Sequence, residues 1–198
     1  MLSDPAHIAD VTFWAVMVCW FAFAAVFLFR KRPPQAAESQ RDRTSSLGIF
    51  LQACAYALVW FHMPNSRYVR VLPSAPAELA LCIFTVVLAA GSVCLVTAAV
   101  RTLGKQWAVA ARLIEGHRLI TGGPYRFVRN PIYTGMLGML LATGLALGHW
   151  IQLIVGTVLF AIGMVIRVRS EEKLLRSAFG QEFEEYAQRV PAVLPGIF

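Results

Sequence analysis

Residues 131–166 read PIYTGMLGMLLATGLALGHWIQLIVGTVLFAIGMVI, two apolar runs with only Gly148, His149 and Trp150 between them. Each run approaches the roughly 20 residues that a helix needs to cross about 30 Å of hydrocarbon. Three residues leave almost no room for a loop, so the run 151–166 folds straight back as the antiparallel partner of the run that starts at Pro131. Pro131 suits a helix start, because the N–H it lacks would lie in the first turn, where no intrahelical acceptor exists. Gly144 and Gly148 form a GxxxG pair, and Gly135 and Gly138 add further small residues. Small residues let helices approach closely and gain packing energy that lipid does not otherwise provide.

The rest of the chain repeats this pattern. Of its 198 residues, 58% are apolar and 15% charged, against about 45–50% and about 25% in soluble globular proteins. Three more apolar runs lie upstream, at 11–29, 47–63 and 78–100. The first is followed at once by Arg30, Lys31 and Arg32, the reverse of a signal peptide's charge order, so it reads as a retained span. Pro33 and Pro34 end it, and residues 35–46 form a polar connector expected to lack regular structure. The fold class predicted is all-α: a multi-span transmembrane helix bundle of about five spans with a cytoplasmic C-terminal amphipathic helix.

Orientation follows from the basic residues. If loops alternate sides, sixteen of the eighteen Lys and Arg fall on one side and only Arg67 and Arg70 on the other. Basic residues concentrate on the cytoplasmic side of membrane proteins. The N-terminus is therefore expected outside, with residues 101–130 and the C-terminus in the cytoplasm. The net charge of +7 sits in short clusters between apolar runs rather than on one continuous soluble face, which argues against a nucleic-acid partner. Cys19, Cys54, Cys82 and Cys94 all fall within apolar runs and form no CxxC motif; they read as small buried residues, and no metal site is expected.

Between the third and fourth runs the chain changes character. Residues 117–133 read HRLITGGPYRFVRNPIY. Gly122, Gly123 and Pro124 force a tight turn whose backbone groups can hydrogen-bond a purine, and Tyr125 and Tyr133 can pack on a ring. The same residues suit a plain turn with aromatic side chains at the membrane interface, and chemistry alone leaves both readings open. Past the fifth run, Arg167 and Glu171 stand four apart and share a helical face. They can form an ion pair, or offer a planar fork to a carboxylate and an acceptor to an ammonium. A charged helix over 170–188 follows, with an apolar stripe that either lies on the membrane or closes over residues 101–130. Phosphate loops, dinucleotide fingerprints, HExxH and GxSxG are all absent from the sequence.

GGPYRFVRNPIYTG, preceded by HRLIT and followed after the hairpin by RVRSEEKLLRSAFGQEFEEYAQRVPAVLP, resembles the isoprenylcysteine carboxyl methyltransferase family of integral membrane methyltransferases, which is related to the phospholipid N-methyltransferases. The match covers roughly residues 104–195. The resemblance implies a cytoplasmic site for S-adenosyl-L-methionine, lined by His117, Arg118, Leu119, Ile120, Tyr125, Asn130, Pro131, Ile132 and Tyr133. It also implies that Glu171 holds the cofactor's amino-acid end and that Arg167 orients the substrate. Two departures stand out: Asn130 occupies a position where the family often has histidine, and Ala110 one where some members have glutamine.

The expected division of labour is three N-terminal helices on the lipid and substrate side, residues 1–100, and a methyltransferase core, residues 101–198. The expected substrate is lipophilic, with a prenylcysteine-like carboxylate favoured over a phospholipid amine or a small thiol. A non-enzymatic scaffold or transport subunit, and an NADPH-dependent membrane reductase, are the readings from other classes.

Overall fold

The computed structural model describes residues 5–29, 38–41, 44–61, 74–104, 112–114 and 118–194. Helices α1 (Pro5–Leu28), α2 (Thr44–Trp60), α3 (Ala75–Leu103), α4 (Pro131–Leu147), α5 (Trp150–Phe179) and α6 (Gln181–Arg189) make up most of it, with short strands β1 (Glu38–Arg41) and β2 (Arg112–Ile114). Among the described residues, three helical stretches are long and apolar enough to cross a membrane, Ile8–Leu28, Pro76–Leu103 and Trp150–Phe179. The apolar helices α2 and α4 have 17 residues each, about 25 Å of rise.

α4 sits at the centre, touching α1, α2, α3 and α5. Its Met139, Leu140 and Ala142 are wholly buried, whereas Trp14, Val18 and Phe21 of α1 and Ile151, Ile154 and Val158 of α5 face outward. Apolar side chains on the outside and small residues within are the arrangement a bilayer favours. Two cores result. One, around Val16, Val96 and Met139, joins α1, α3 and α4. The other, around Ala55, Leu140 and Phe160, joins α2, α4 and α5.

The hairpin turn is as short as the sequence implied. Gly148 takes a left-handed conformation (φ 69°) and its N–H reaches the Gly144 carbonyl, a helix end that suits a residue without Cβ. The glycines of α4, however, serve different neighbours. Gly144 meets Leu153 of α5, while Gly135 and Gly138 face Val96 and Ser92 of α3. The principal partner of α5 is α2, and the contact there is backbone on backbone: a Cβ on Gly48 would lie 2.6 Å from the Gly163 carbonyl, and one on Gly163 2.8 Å from the Gly48 carbonyl.

Two expectations need correction. β1 falls in the connector expected to be irregular and pairs antiparallel with β2, with Gln40 opposite Leu113 and Arg41 opposite Arg112. This small ribbon leaves the fold all-α in class, as expected, and it brings the connector after α1 and the segment after α3 to the same end of the bundle. The fifth run and the charged helix are also not separate, since α5 continues unbroken to Phe179. No proline or glycine interrupts residues 164–179; Gly180 ends the helix and α6 follows.

Candidate functional site

The site forms where α4 begins, the second half of α5 passes and the C-terminal segment returns. Pro124 and Gly123 open a 3-10 turn, Gly123–Arg126, and Gly123 needs its positive φ of 58° to make it. Tyr125 is buried beneath this turn, and its carbonyl accepts from the Tyr186 hydroxyl of α6 at 2.5 Å. Burial, the largest influence, pushes the Tyr186 hydroxyl up to about 12; Arg129 opposes that shift and Glu172 adds to it.

The C-terminal segment is fastened to the start of α4 by main-chain bonds. Arg129 N–H donates to the Pro191 carbonyl at 2.8 Å and Asn130 N–H to the Ala192 carbonyl at 2.9 Å. The Asn130 side-chain amide donates to the same Ala192 carbonyl at 3.0 Å, and Thr134 Oγ1 donates to the Val193 carbonyl at 2.7 Å. Asn130 thus holds the returning chain, a role an amide N–H fills without an ionisable ring. Below it, the Arg129 guanidinium meets the Glu172 carboxylate at 2.8 Å, both side chains about nine-tenths buried. It also donates to the carbonyls of Ala187 and Val190. Arg176 ties α5 to α6 through Glu184 at 2.7 Å and lies over the Phe183 ring.

Next to this clasp stand three side chains that the sequence singled out. The Tyr133 hydroxyl donates to Glu171 Oε1. Arg167 lies over the Tyr133 ring, 4.8 Å from its centre, and is 3.8 Å from Glu171 Oε1. Tyr133 and Arg167 are buried, while the Glu171 side chain keeps 29% of its exposure. The result is a carboxylate oriented by a phenol and open on one side, beside a guanidinium held over a ring. Such a pair can take an ammonium and a carboxylate at adjoining positions.

The other expected site residues are distributed unevenly. Asn130 and Pro131 are buried at the helix start. Leu119 and Ile120 are half-buried and Arg118 is exposed. Ile132 packs toward the core of α1, α3 and α4, away from Tyr133, which belongs to the core of α2, α4 and α5. His117 and Ala110 lie outside the described residues. Among the described residues, no group of His, Cys, Asp and Glu is placed to hold a metal ion.

A family model described as phospholipid methyltransferase matches residues 81–182, more than half of the chain and the whole of α4 and α5. The chain belongs to the phospholipid methyltransferase family. This phospholipid methyltransferase family member is also similar to curated relatives. It is 37% identical over 101 residues to a probable protein-S-isoprenylcysteine O-methyltransferase of Oryza sativa subsp. indica, covering 50% of this chain and 53% of that one. It is 32% identical over 87 residues to the protein-S-isoprenylcysteine O-methyltransferase of Schizosaccharomyces pombe, covering 44% and 37%. It is 35% identical over 72 residues to methanethiol S-methyltransferase 1 of Bradyrhizobium diazoefficiens, covering 36% and 24%. The chain thus spans about half the length, or less, of these relatives. Its long apolar helices, read with this family, make it a membrane protein, and the isoprenylcysteine resemblance read from its motifs is supported by relatives of that name.

Three contacts have little or no signature in the sequence: Gln52 on Arg167, Glu172 on Arg129, and Tyr186 on Tyr125. In the sequence Arg129 is one of the basic residues of the segment 101–130, counted with the rest toward the cytoplasmic side. Its partner lies 43 residues away in sequence, beyond any spacing rule. Only Gln52, a polar residue inside an apolar run, carried a visible signal.

Proposed function

We propose that this protein is an integral membrane methyltransferase that uses S-adenosyl-L-methionine and methylates a membrane-borne acceptor, with a prenylcysteine-like carboxylate preferred. The observation that carries this reading is the Tyr133–Glu171–Arg167 group, in which the Tyr133 hydroxyl bonds Glu171 and Arg167 lies over the Tyr133 ring. The family match and the relatives named as O-methyltransferases support it. In this reading residues 101–198 form the methyltransferase core and the helices of residues 1–100 form the acceptor side. The bundle crosses the membrane about five times, with the N-terminus outside and the site at the cytoplasmic face.

The residues suit the cofactor's groups. Glu171 is half-open and directed by Tyr133, so it can take the α-ammonium, and the turn at Gly122 and Gly123 with the stretch from Arg118 to Ile120 offers backbone groups to the nucleoside. His117, Tyr125, Asn130, Pro131 and Ile132 complete the proposed lining, Asn130 and Pro131 by fixing its backbone. When bound, the sulfonium supplies an electrophilic methyl group. Arg167 orients the acceptor carboxylate in line with it, and an already ionised carboxylate requires no general base. Exclusion of water by the packed helices favours a reaction in which opposite charges disappear, and positioning accounts for most of the acceleration.

The test is isotopic. Cells with and without the protein are fed methyl-labelled methionine, and their lipid extracts are compared by mass spectrometry. A labelled methyl ester that appears with the wild type and not with Arg167→Leu is expected. A label found on a phospholipid amine or a small thiol would replace the carboxylate reading with one of those acceptors.

A further inference from the structure

We propose that Gln52 of α2 is the specificity residue of the acceptor site: it positions Arg167 through its amide oxygen and gives an amide N–H to an oxygen of a carboxylate acceptor. The proposal rests on the methyltransferase reading above and adds to it a residue from outside the matched stretch 81–182.

The case begins with the cost of placing Gln52 where it is. It stands in the middle of an apolar helix and is 2% exposed, and in a membrane seam an amide has no water to turn to. Its Oε1 accepts from Arg167 Nη1 at 3.0 Å. A guanidinium has donors and no acceptor, so the oxygen must face Arg167 and Nε2 must be the other arm of the amide. Nε2 is fully buried and has no hydrogen-bond partner among the described residues. A buried donor left unmade is an expensive feature to keep in a seam packed this tightly. A ligand that supplies the missing acceptor accounts for it.

Two neighbouring features point the same way. Ser45, Gly48 and Gln52 lie three and four residues apart, on one face of α2. Gly48 packs against the stem of Arg167, leaving no space there for a Cβ, so the face is cut to fit this arginine. Ser45 Oγ on that face and Ser170 Oγ, one turn beyond Arg167 on α5, are also buried without hydrogen-bond partners among the described residues. α2 and α5 therefore carry, near Arg167 in sequence or in space, buried polar groups whose hydrogen bonds no described residue makes.

The pattern sets the chemical class of the acceptor. Gln52 commits its acceptor atom to Arg167, so the pair presents N–H groups alone. An oxyanion is met on two sides, by the guanidinium and by the amide. From Gln52 and Arg167 an amine meets a cation and no acceptor, so the same two residues that favour a carboxylate discriminate against a phospholipid amine.

The experiment uses the detergent-solubilised full chain, S-adenosylhomocysteine as the cofactor-site probe and N-acetyl-S-farnesylcysteine as a carboxylate acceptor. Gln52→Glu keeps size and its contact with Arg167, as an ion pair that keeps the seam closed, but it has no N–H to give and repels a carboxylate. Gln52→Leu removes both arms. Expected for each variant is S-adenosylhomocysteine affinity within about twofold of wild type, kcat little changed, and KM for the acceptor raised about tenfold, the loss of one hydrogen bond to a charged group. Unchanged KM in either folded variant overturns the proposal, as does a fall in kcat alone, which is what a merely loosened seam produces. Loss of S-adenosylhomocysteine binding in Gln52→Glu also overturns it, by moving Gln52 to the cofactor side. A wild type that binds no S-adenosylhomocysteine overturns the methyltransferase reading and this proposal with it.

Discussion

The seam of α3 with α4 and the seam of α2 with α5 are built by the same device and end in different chemistry. In both, glycines let one helix reach the other: Gly135 and Gly138 against Val96 and Ser92, Gly48 and Gly163 against each other. The polar residues then diverge. On the first seam Ser92 Oγ donates to the Leu88 carbonyl of its own helix, and elsewhere on α3 Thr85 and Thr97 turn back on Leu81 and Val93 in the same way. On the second, Gln52 Nε2, Ser45 Oγ and Ser170 Oγ have no hydrogen-bond partners among the described residues, and a buried arginine crosses between the helices. A hydroxyl satisfied within its own turn asks nothing of the partner helix and marks a structural contact. Buried polar groups left without partners on helices joined by a buried cation are what the proposed acceptor site requires.

Substitutions can break or sharpen this contrast. The largest effect is expected beside the second seam, in the clasp that closes it. Arg129→Ala leaves Glu172 buried, with, among the described residues, the 3.3 Å contact to the half-exposed Arg176. Removing one member of a buried pair costs about 3–5 kcal/mol, and the Arg176 contact argues for the lower end. Thermal unfolding in detergent reads the loss, together with earlier proteolysis of the C-terminal segment.

Next come paired glycine changes. Gly48→Ala drives a Cβ into the stem of Arg167 and to 2.6 Å from the Gly163 carbonyl, a backbone atom that cannot step aside; about 3 kcal/mol is expected. Gly138→Ala meets first the Ser92 hydroxyl, which can rotate, so about 1 kcal/mol is expected. Equal melting-point losses for the two would erase the distinction between the seams. Ser92→Ala should stay within about 0.5 kcal/mol, since the hydroxyl and the carbonyl it bonds belong to one helix.

The smallest effect is one of pH. The Tyr186 hydroxyl is raised to about 12, chiefly by burial, from an ordinary value of about 10. Its folded value lies above its unfolded one, so its contribution to stability is complete below about pH 10 and is lost as pH rises toward about 12. Alkaline melting curves should therefore fall across that window in the wild type and less in Tyr186→Phe.

Much of this was readable beforehand, because membrane helices declare themselves by length and composition and the hairpin by the three residues that interrupt it. The Arg167 and Glu171 pair was readable for a similar reason, since four residues on a helix fix a shared face. What escaped was set by contacts between distant segments. Nothing in the spacing of Arg129 tells of Glu172, and nothing in residues 35–46 tells of a strand whose partner is β2. Asn130 was marked as a departure from the family's histidine, whereas its place in the fold is explained by the Ala192 carbonyl it holds. Gln52 could be seen as a polar residue in a span, but its meaning depends on Arg167, 115 residues away.

The central claim is that Tyr133, Glu171 and Arg167 enclose a cofactor site, and calorimetric titration of S-adenosylhomocysteine into the purified wild type and Glu171→Ala tests it most directly. Saturable binding by the wild type, weakened at least about tenfold in Glu171→Ala as expected for loss of a charge-assisted contact, is the predicted result. No heat of binding in the wild type, or the same affinity in both proteins, would contradict it.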